Sequence, residues 1–418
     1  MFVEERLDRA CANPKWREMF PTAKVRHLTA SYSDHDPILL ETEFAPLRRK
    51  RRRIQRFEEK WVAHGECEEQ IRRSWTQSHP IGSPMFCLFE KIKKCRMDLV
   101  QWSKGAFGNT RERLSAKQQE LQQLVHSNYG GNMERINQTK REVNELMHKE
   151  EVFWRQRSRA IWLPVGDKNT RFFHQRASQR RQKNQVEGLV DSDGLWQTEE
   201  TKVADIAVDY YQTLFTASAT THMTEVVDKV DRVVTDDMRR TLMLPYTEEE
   251  VRVALFQMHP SKSPGPDGMS PYFFQKFWHI VGPDVTSAVL SVLHSRRCLQ
   301  KMNLAHIVLI PKKNKPEHMS EYRPISLANV VSRMVSKVIA NRLKMILPNV
   351  ISDAQSAFVP NRLITDNTSV AFEMLHRMRN QWKGKIGHMA VKLDISKAYD
   401  RVEWSFLRQI MLKIGLPV

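Results

Sequence analysis

The sequence predicts a mixed α+β fold from three patterns that follow one another along the chain. Residues 56–163 carry apolar side chains at helical spacing. A small β-hairpin is indicated at residues 186–196, and residues 245–418 alternate helical with strand-like segments. Such a mixture is typical of α+β proteins, with an α/β arrangement as the alternative.

The chain of 418 residues is strongly basic, because 66 Lys and Arg residues outnumber 48 Asp and Glu residues and give a net charge of +18. This charge favours nucleic acid as a partner, although a generic basic protein would show it too. No apolar run approaches the roughly 18 residues that cross a bilayer, and no apolar signal segment opens the chain. Five scattered cysteines without a CxxC pair favour a reducing compartment and no zinc site.

The first region, residues 1–47, mixes short apolar runs with proline breaks and contains a candidate strand at residues 38–44. Six consecutive basic residues follow at 48–53. A solvated linker is the simplest interpretation of such a run, and a phosphate-contacting patch or a nuclear import signal are the alternatives.

The second region, residues 48–163, comprises this basic run and a helical linker. Apolar residues repeat at helical spacing on both sides of a turn cluster at 128–132 and predict an antiparallel helix pair. A structural spacer is the preferred role for this pair.

The third region, residues 164–244, precedes the C-terminal part of the chain. Asp193 and Gly194 lie between apolar residues and predict the turn of the small hairpin. Upstream, basic residues alternate with Phe172 and Phe173, which suits phosphate and stacking contacts with RNA. Packing of these aromatic rings in a core is an equal alternative.

The fourth region, residues 245–418, opens with a helix start in which Thr247 and Glu250 form a capping box. Residues 307–311 and 389–393 are strand candidates, and residues 330–347 read as a long helix closed by Pro348.

Asp394 follows the second of these candidate strands. A carboxylate at a strand end suits Mg²⁺, which prefers oxygen ligands, and such groups hold the two metals of nucleotidyl transfer. An isolated Asp in this position is more often a helix N-cap.

The string LDISKAYDRV at 393–402 closely resembles the first palm motif of reverse transcriptases, in particular those of plant non-LTR (LINE-type) retrotransposons. Residues 262–268 (KSPGPDG) look like the segment before the fingers of that family. Residues 309–312 with 322–327 look like its first fingers motif, and residues 355–367 look like its second. Asn361 stands where glycine is usual.

The resemblance continues upstream. Residues 166–174 and 193–196 are similar to the linker before the polymerase of plant elements. Residues 26–28 and 33–37 look like the last strand region of an endonuclease/exonuclease/phosphatase-type endonuclease. There, the resemblance implies that His35 acts on the scissile phosphate with Asp34 beside it. The expected architecture is therefore an endonuclease β-sandwich fragment, a helical linker, and the fingers and first part of the palm of a reverse transcriptase.

The family resemblance implies catalytic roles in RNA-directed DNA synthesis, in which a primer 3′-hydroxyl attacks a dNTP. Asp394 and the backbone carbonyl of Ile395 would be metal ligands for Mg²⁺. Tyr399 would be the steric gate that excludes a ribose 2′-hydroxyl, whereas a core aromatic is the alternative without the family. Asp400 is expected to make local hydrogen bonds only.

The same resemblance implies that Arg323 and Lys312 face the triphosphate or the template, and that Arg362 is a further nucleotide or nucleic-acid contact. Arg323 is the stronger candidate because a guanidinium binds phosphate through two N–H groups. The expected partners are an RNA template, a DNA primer or target, and dNTPs, with no membrane. A nuclear or cytoplasmic location is expected.

The sequence also predicts that the chain alone is inactive. The polymerase site needs an Asp-Asp turn downstream of Asp394, and the pair Asp236–Asp237 lies upstream without a strand context. We therefore expect a chain truncated at both ends, with neither polymerase nor nuclease activity. The alternative function is a non-catalytic nucleic-acid-binding module that uses the runs at 48–53 and 168–183.

Overall fold

The computed structural model describes residues 10–21, 23–27, 38–42, 55–127, 133–160, 170–217, 223–380, 388–395 and 397–417. This part of the chain is mixed and mainly helical, with small sheets, as the α+β prediction requires. His35, Asp34, the basic run at 48–53 and the turn cluster at 128–132 lie outside the described residues.

The helices follow one another along most of the chain. They are α1 (Pro14–Met19), α2 (Cys67–Thr76), α3 (Pro84–Phe107), α4 (Thr110–Ser127), α5 (Met133–Ser158), α6 (Thr170–Lys183), α7 (Glu200–Phe215), α8 (Met223–Asp228), α9 (Asp236–Met243), α10 (Glu248–Phe256), α11 (Pro271–Lys276), α12 (Trp278–Ser295), α13 (Val330–Val350), α14 (Ile364–Asn380), α15 (Ala398–Arg401) and α16 (Trp404–Lys413).

The strands form antiparallel two-stranded sheets. They are β1 (Lys24–His27) with β2 (Ile38–Glu41), β3 (Leu189–Val190) with β4 (Trp196–Gln197), and β5 (Ala305–Pro311) with β6 (Tyr322–Ala328). The first sheet contains the strand predicted at residues 38–44, as β2, which ends at Glu41 and pairs with β1 over its full length.

The main core lies between α2, α3 and the helices α10 to α13. Ser83 caps α3 by accepting a hydrogen bond from the N–H of Phe86 (3.3 Å), and Pro84 fits the first helical position. One face of α3 then buries Leu88 and Ile92 against this core. Burial of such a face is what stabilises the helix, since intrinsic propensity alone is marginal.

The predicted antiparallel helix pair is confirmed as α4 and α5. Lys117 on α4 pairs with Glu142 on α5 (2.8 Å), and Glu120 on α4 pairs with Arg135 on α5 (3.3 Å). The later residue on one helix meets the earlier residue on the other, which makes the pair antiparallel.

The predicted hairpin at residues 186–196 is also confirmed, as β3 and β4. The Asp191 carboxylate accepts hydrogen bonds from the N–H groups of Asp193 (3.0 Å) and Leu195 (2.9 Å), and Gly194 takes the positive φ of +80° that the turn requires. Leu189 of this hairpin packs with Tyr211 of α7 and Tyr322 of β6 in a second core.

Two expectations for residues 245–418 are wrong. Residues 388–395 form no strand, and no described strand pairs with them, so their backbone groups lack the ladder that a strand requires. Helix α13 continues through Pro348 to Val350. Because Pro348 lies in the last turn, the helix loses only the bond that its N–H would have made. The strand at 307–311 and the capping box of Thr247 and Glu250 are confirmed.

All five cysteines lie in the described residues and are free thiols. Among the described helices, none combines the length and the apolar character that crossing a membrane requires.

Candidate nucleic-acid and nucleotide site

The turn between β5 and β6 holds Lys312, which the sequence assigns to the triphosphate or the template. The Lys312 N–H donates to the Glu321 carbonyl (2.8 Å), which extends the β5–β6 pairing by one residue. Its ammonium group donates to the Ser320 carbonyl (2.8 Å). The side chain is therefore folded back over its own turn, although one ammonium offers three donors and can bind an anion as well.

Glu321 holds the turn together. Its carboxylate pairs with Lys313 (2.7 Å) and accepts hydrogen bonds from the N–H groups of Glu317 (2.7 Å) and His318 (3.3 Å). These bonds, that of Lys313 first, lower the pKa of Glu321 to about 2. The N–H of Val190 donates to the Glu317 carbonyl (2.9 Å), so the β3–β4 hairpin also fixes this turn.

Arg323 lies on β6 opposite Ile310 of β5, and its side chain is exposed. Alternation along the two strands places Val308 and Ile325 on the same face of the hairpin, and both are partly exposed. This face therefore presents a guanidinium group beside apolar surface, which suits contact with a phosphate or with a nucleotide ring.

Arg362 organises the loop after α13. Its guanidinium donates to the carbonyls of Ser352 (2.5 Å), Gln355 (2.8 Å) and Ile351 (3.3 Å), and it pairs with Asp353 (3.1 Å). This arrangement gives Arg362 a loop-stabilising role, which the sequence did not predict. Its predicted contact with a nucleotide would need some of these donors to be released.

The same loop keeps the conformation that glycine would adopt at position 361. Asn361 has a φ of +63°, in the left-handed region, and Asn tolerates that region better than most residues. The departure from the usual glycine therefore leaves the turn in place. Phe358 also has a positive φ, of +65°, and its ring is 80% exposed.

Tyr399, the predicted steric gate, contacts Phe358. The two rings meet edge to face with their centroids 6.1 Å apart, which joins α15 to the loop after α13. Tyr399 lies in the short helix α15 and is 81% exposed, so the alternative of a core aromatic is wrong. An exposed ring in this position can contact an incoming ligand.

Asp394 and Ile395 end the irregular segment 388–395, and both side chains are exposed. Within the described residues, no hydrogen bond or ion pair joins Asp394 to Lys312, Arg323 or Arg362. Nor does this part of the chain bring three or more His, Cys, Asp or Glu side chains together as a metal site. The structure therefore does not unite Asp394 with the predicted phosphate-binding residues.

Residues just beyond Asp394 dock on α7. The Lys397 ammonium is buried and lies over the ring of Tyr210, 4.1 Å from its centroid. The N–H of Asp400 donates to the Lys397 carbonyl (2.9 Å), so Asp400 makes a local hydrogen bond in the helix start. The sequence motif did not predict that Lys397 packs on the ring of Tyr210, because the two residues lie far apart in sequence.

The loop at residues 262–268 is built into the main core. The N–H of Asp267 donates to the side chain of Asn329 (3.1 Å), and Arg96 donates to the Asp267 carbonyl (3.1 Å). A side chain at Gly265 would overlap Asn329, and Gly268 has a φ of +76°. The two glycines of the KSPGPDG string were the sequence signal for this close packing.

The Asp267 carboxyl group itself is confined. One oxygen accepts the N–H of Met269 (3.0 Å), and the other is buried without a hydrogen bond in the structure. Burial raises the pKa of Asp267 to about 6, against the opposing effects of the Met269 N–H and of Arg96 and Arg333.

The pair Asp236–Asp237 starts helix α9 after Thr235, whose side chain caps the helix by accepting the N–H of Met238 (3.3 Å). Asp236 pairs with Arg232 (2.6 Å) and Asp237 with Arg240. Acidic residues favour a helix N-terminus, so this pair is explained by helix stability.

The C-terminal quarter of the chain is similar to a known protein family. Residues 310–418 match the profile of a family described as reverse transcriptase (RNA-dependent DNA polymerase). The chain contains a reverse transcriptase segment of the non-LTR retrotransposon type. This segment includes the end of β5, all of β6, the Arg362 loop and the Asp394 region.

Proteins of transposable elements are similar over a longer stretch. The uncharacterized 149 kDa protein of transposon TX1 from Xenopus laevis is 32% identical over 253 residues, which are 60% of this chain and 19% of that protein. The probable RNA-directed DNA polymerase from transposon X-element of Drosophila melanogaster is 25% identical over 55% of this chain and 25% of that protein. A Pol polyprotein of a type-1 R2 element from Nasonia vitripennis is 25% identical over 43% of this chain and 16% of its own length. The chain thus matches a quarter or less of each relative.

Proposed function

We propose that residues 245–418 supply the fingers and the first part of the palm of an RNA-directed DNA polymerase. The observation that supports this most is the match of residues 310–418 to reverse transcriptases, because it spans β6, the Arg362 loop and Asp394 in one segment. The substrates in this proposal are an RNA template, a DNA primer or target end, and dNTPs.

In this proposal the β5–β6 hairpin binds phosphate groups of the template or of the triphosphate. Arg323 supplies an exposed guanidinium, and Lys312 supplies a cation at the adjacent turn. Tyr399 would lie beneath the sugar, where its ring, supported by Phe358, would exclude a 2′-hydroxyl. These residues bind and orient the template and the dNTP, and none of them transfers a proton.

Mg²⁺ is the ion expected for this chemistry, and Asp394 with the Ile395 carbonyl are its proposed ligands. In the described residues Asp394 is one exposed carboxylate that no other acidic side chain joins in a cluster. A Mg²⁺ site requires near-octahedral oxygen coordination, usually with more than one fixed protein ligand. These residues do not complete such a site, and we propose that the chain alone binds a template–primer without extending it.

Primer extension on an RNA template with dNTPs and Mg²⁺ tests the catalytic part of this proposal, with Asp394→Ala as the comparison. We expect no incorporation by either protein. Incorporation that disappears in Asp394→Ala would show that a second carboxylate reaches Asp394 and would overturn the proposal of inactivity.

Binding of an RNA–DNA hybrid tests the rest. We expect Arg323→Ala to weaken binding about tenfold, the loss that corresponds to about 1.4 kcal/mol. Arg408→Ala is the matched control, since Arg408 is also exposed but lies on α16, outside the hairpin. Equal binding by wild type and Arg323→Ala would exclude the hairpin as the template or nucleotide site.

We further propose that residues 1–47 derive from the C-terminal part of an endonuclease/exonuclease/phosphatase-type domain of a plant element, in which His35 and Asp34 served the scissile phosphate. The β1–β2 pairing on either side of this motif supports a strand region there. We expect no nicking of supercoiled DNA by this chain, and nicking that His35→Ala abolishes would contradict the expectation. We place its action in the nucleus or cytoplasm.

A further inference from the structure

Helix α6 presents a stripe of positive charge to solvent. Arg176, Arg180 and Lys183 follow one another at spacings of four and three residues, which brings them onto one face of the helix. All three side chains are exposed. Within the described residues, no carboxylate pairs with any of them. Like charges at this spacing repel one another weakly, and a bound anion would relieve this repulsion.

Other residues of α6 contact the rest of the chain. Phe173 is fully buried, and the ring of His174 packs edge to face on Trp154 of α5, with centroids 4.2 Å apart. Gln182 donates to the carbonyl of Pro21 in the segment between α1 and β1. The predicted stacking platform is therefore wrong for Phe173, which belongs to the core, whereas the cationic stripe remains open.

Arg159 adds to the charge near Arg180. Arg159, just after α5, is fixed by hydrogen bonds to the Ser261 carbonyl and the Ser263 hydroxyl. Its burial, followed by the charges of Arg180 and Arg56, lowers the pKa of Arg159 from its usual value. Arg180 thus lies within electrostatic reach of Arg159.

We propose that the α6 stripe of Arg176, Arg180 and Lys183 binds the phosphodiester backbone of a nucleic acid, separately from the β5–β6 hairpin. The stripe is about 10 Å long from the helical rise of about 1.5 Å per residue. A strand of duplex DNA carries one charge per roughly 3.4 Å, so the stripe spans about three phosphates.

The chemistry of the stripe favours nucleic acid over a membrane or an acidic peptide. Guanidinium groups bind phosphate through paired N–H donors. A membrane-binding helix would present exposed large apolar side chains beside its cations, but the apolar side of α6 is packed against α5. Since Phe172, four residues before Arg176, is the one aromatic ring of this face and is half-buried, we expect binding to depend mainly on charge and only weakly on base sequence.

The test is the salt dependence of binding, with the full chain and a fluorescein-labelled oligouridylate. For single strands, the logarithm of the binding constant falls against the logarithm of the salt concentration with a slope of about 0.7 per phosphate contacted. We expect the variant Arg176→Gln/Arg180→Gln/Lys183→Gln to reduce the magnitude of this slope by about 2. The matched control, Arg111→Gln/Arg113→Gln/Lys140→Gln, removes the same charge from exposed positions on α4 and α5 and should keep most of the slope.

The same titration is then repeated with a duplex of the same length. Tighter binding of either the single strand or the duplex identifies which of the two the stripe prefers. Unchanged slope in the α6 variant, with thermal melting like wild type, would overturn the proposal. So would an equal loss in the control, which would indicate net charge alone. Competition by polyglutamate as strong as that by RNA would also overturn it, because the surface would then recognise carboxylates equally well. Since Arg323 is unchanged in this variant, loss of the slope here does not depend on the polymerase proposal.

Discussion

The ammonium group of Lys397 lies 4.1 Å from the centroid of the Tyr210 ring. This contact joins residues 397–401 to α7, which precedes the segment that matches reverse transcriptases. Because the ammonium is buried without a hydrogen bond in the structure, the face of the ring is its main compensating partner. The docking of residues 397–401 therefore depends on a residue almost two hundred positions upstream.

We expect Tyr210→Leu to loosen this docking by about 1 kcal/mol, the usual size of a partly desolvated cation–π contact. Hydrogen exchange of the α15 and α16 amides should accelerate, since local opening would cost less. Tyr210→Phe is the control, because it keeps the ring face and should exchange like wild type. Identical exchange in the Leu variant would show that the ring does not hold Lys397.

Arg342 of α13 is a second long-range connection. Its guanidinium pairs with both carboxylate oxygens of Glu250 (2.6 and 2.8 Å), donates to the Pro245 carbonyl (2.7 Å), and lies over the Tyr246 ring. The Arg342 side chain is only 7% exposed. Removing one partner of such a pair leaves the other charge without compensation.

We expect Arg342→Met to reduce the free energy of unfolding by about 3 kcal/mol, measured by urea denaturation. The control is Arg252→Met, which removes an exposed pair with Glu249 (3.1 Å) and should cost less than about 1 kcal/mol. Hydrogen bonds from Arg342 lower the pKa of Glu250 in the folded state. The stability that this ion pair contributes is therefore present above the pKa of Glu250 in the unfolded state, and it is lost as pH falls through the folded-state pKa. The difference between wild type and Arg342→Met should therefore shrink below about pH 4. Equal losses in the two variants would contradict this account.

The sequence predicted the elements that short-range signals specify. The helix pair follows from apolar spacing around Leu121 and Val143, the hairpin from Asp193 and Gly194, and the helix start at Thr247 from its capping box. Each of these signals lies within a few residues of the structure that it predicts, so no knowledge of the remaining chain is needed.

The candidate site could be predicted only in part. The motif string identified Asp394 and Tyr399, but the strand expected before Asp394 depends on pairing with a distant segment, which a local pattern cannot supply. Likewise, the donors of Arg362 are taken by carbonyls of the loop at residues 351–355, and only the three-dimensional path of that loop reveals this.

The turn at Asn361 provides a prediction about backbone conformation. Its φ of +63° would cost Ala about 1 kcal/mol, whereas Gly adopts it freely. We expect Asn361→Ala to lower stability by about that amount and Asn361→Gly to change it little, in urea denaturation. Since Asn361 is exposed, lost packing does not complicate the comparison. A Gly variant as unstable as the Ala variant would show that the Asn side chain, and not φ, is responsible.

Asp267 leads to a prediction about pH. Burial raises the pKa of its carboxyl group to about 6, above the unfolded value of about 3.9. The folded state therefore binds this proton more tightly than the unfolded state does. The stability that comes from the tighter binding of this proton in the folded state is fully present below about pH 4 and is lost as pH rises through 6.

Asp267→Asn should remove this dependence while it keeps an oxygen that can accept the Met269 N–H. At pH 7 we expect the variant to be more stable than wild type by at most about 3 kcal/mol, which two pKa units represent. Near pH 4 the two proteins should be equally stable, because the wild-type carboxyl group is then protonated in the folded state. Urea denaturation of both proteins across this range measures the difference and cancels the titration of all other groups. A difference that stays constant with pH, or an Asn variant that is less stable at pH 7, would mean that Arg96 and Arg333 stabilise the ionised carboxylate more than burial destabilises it.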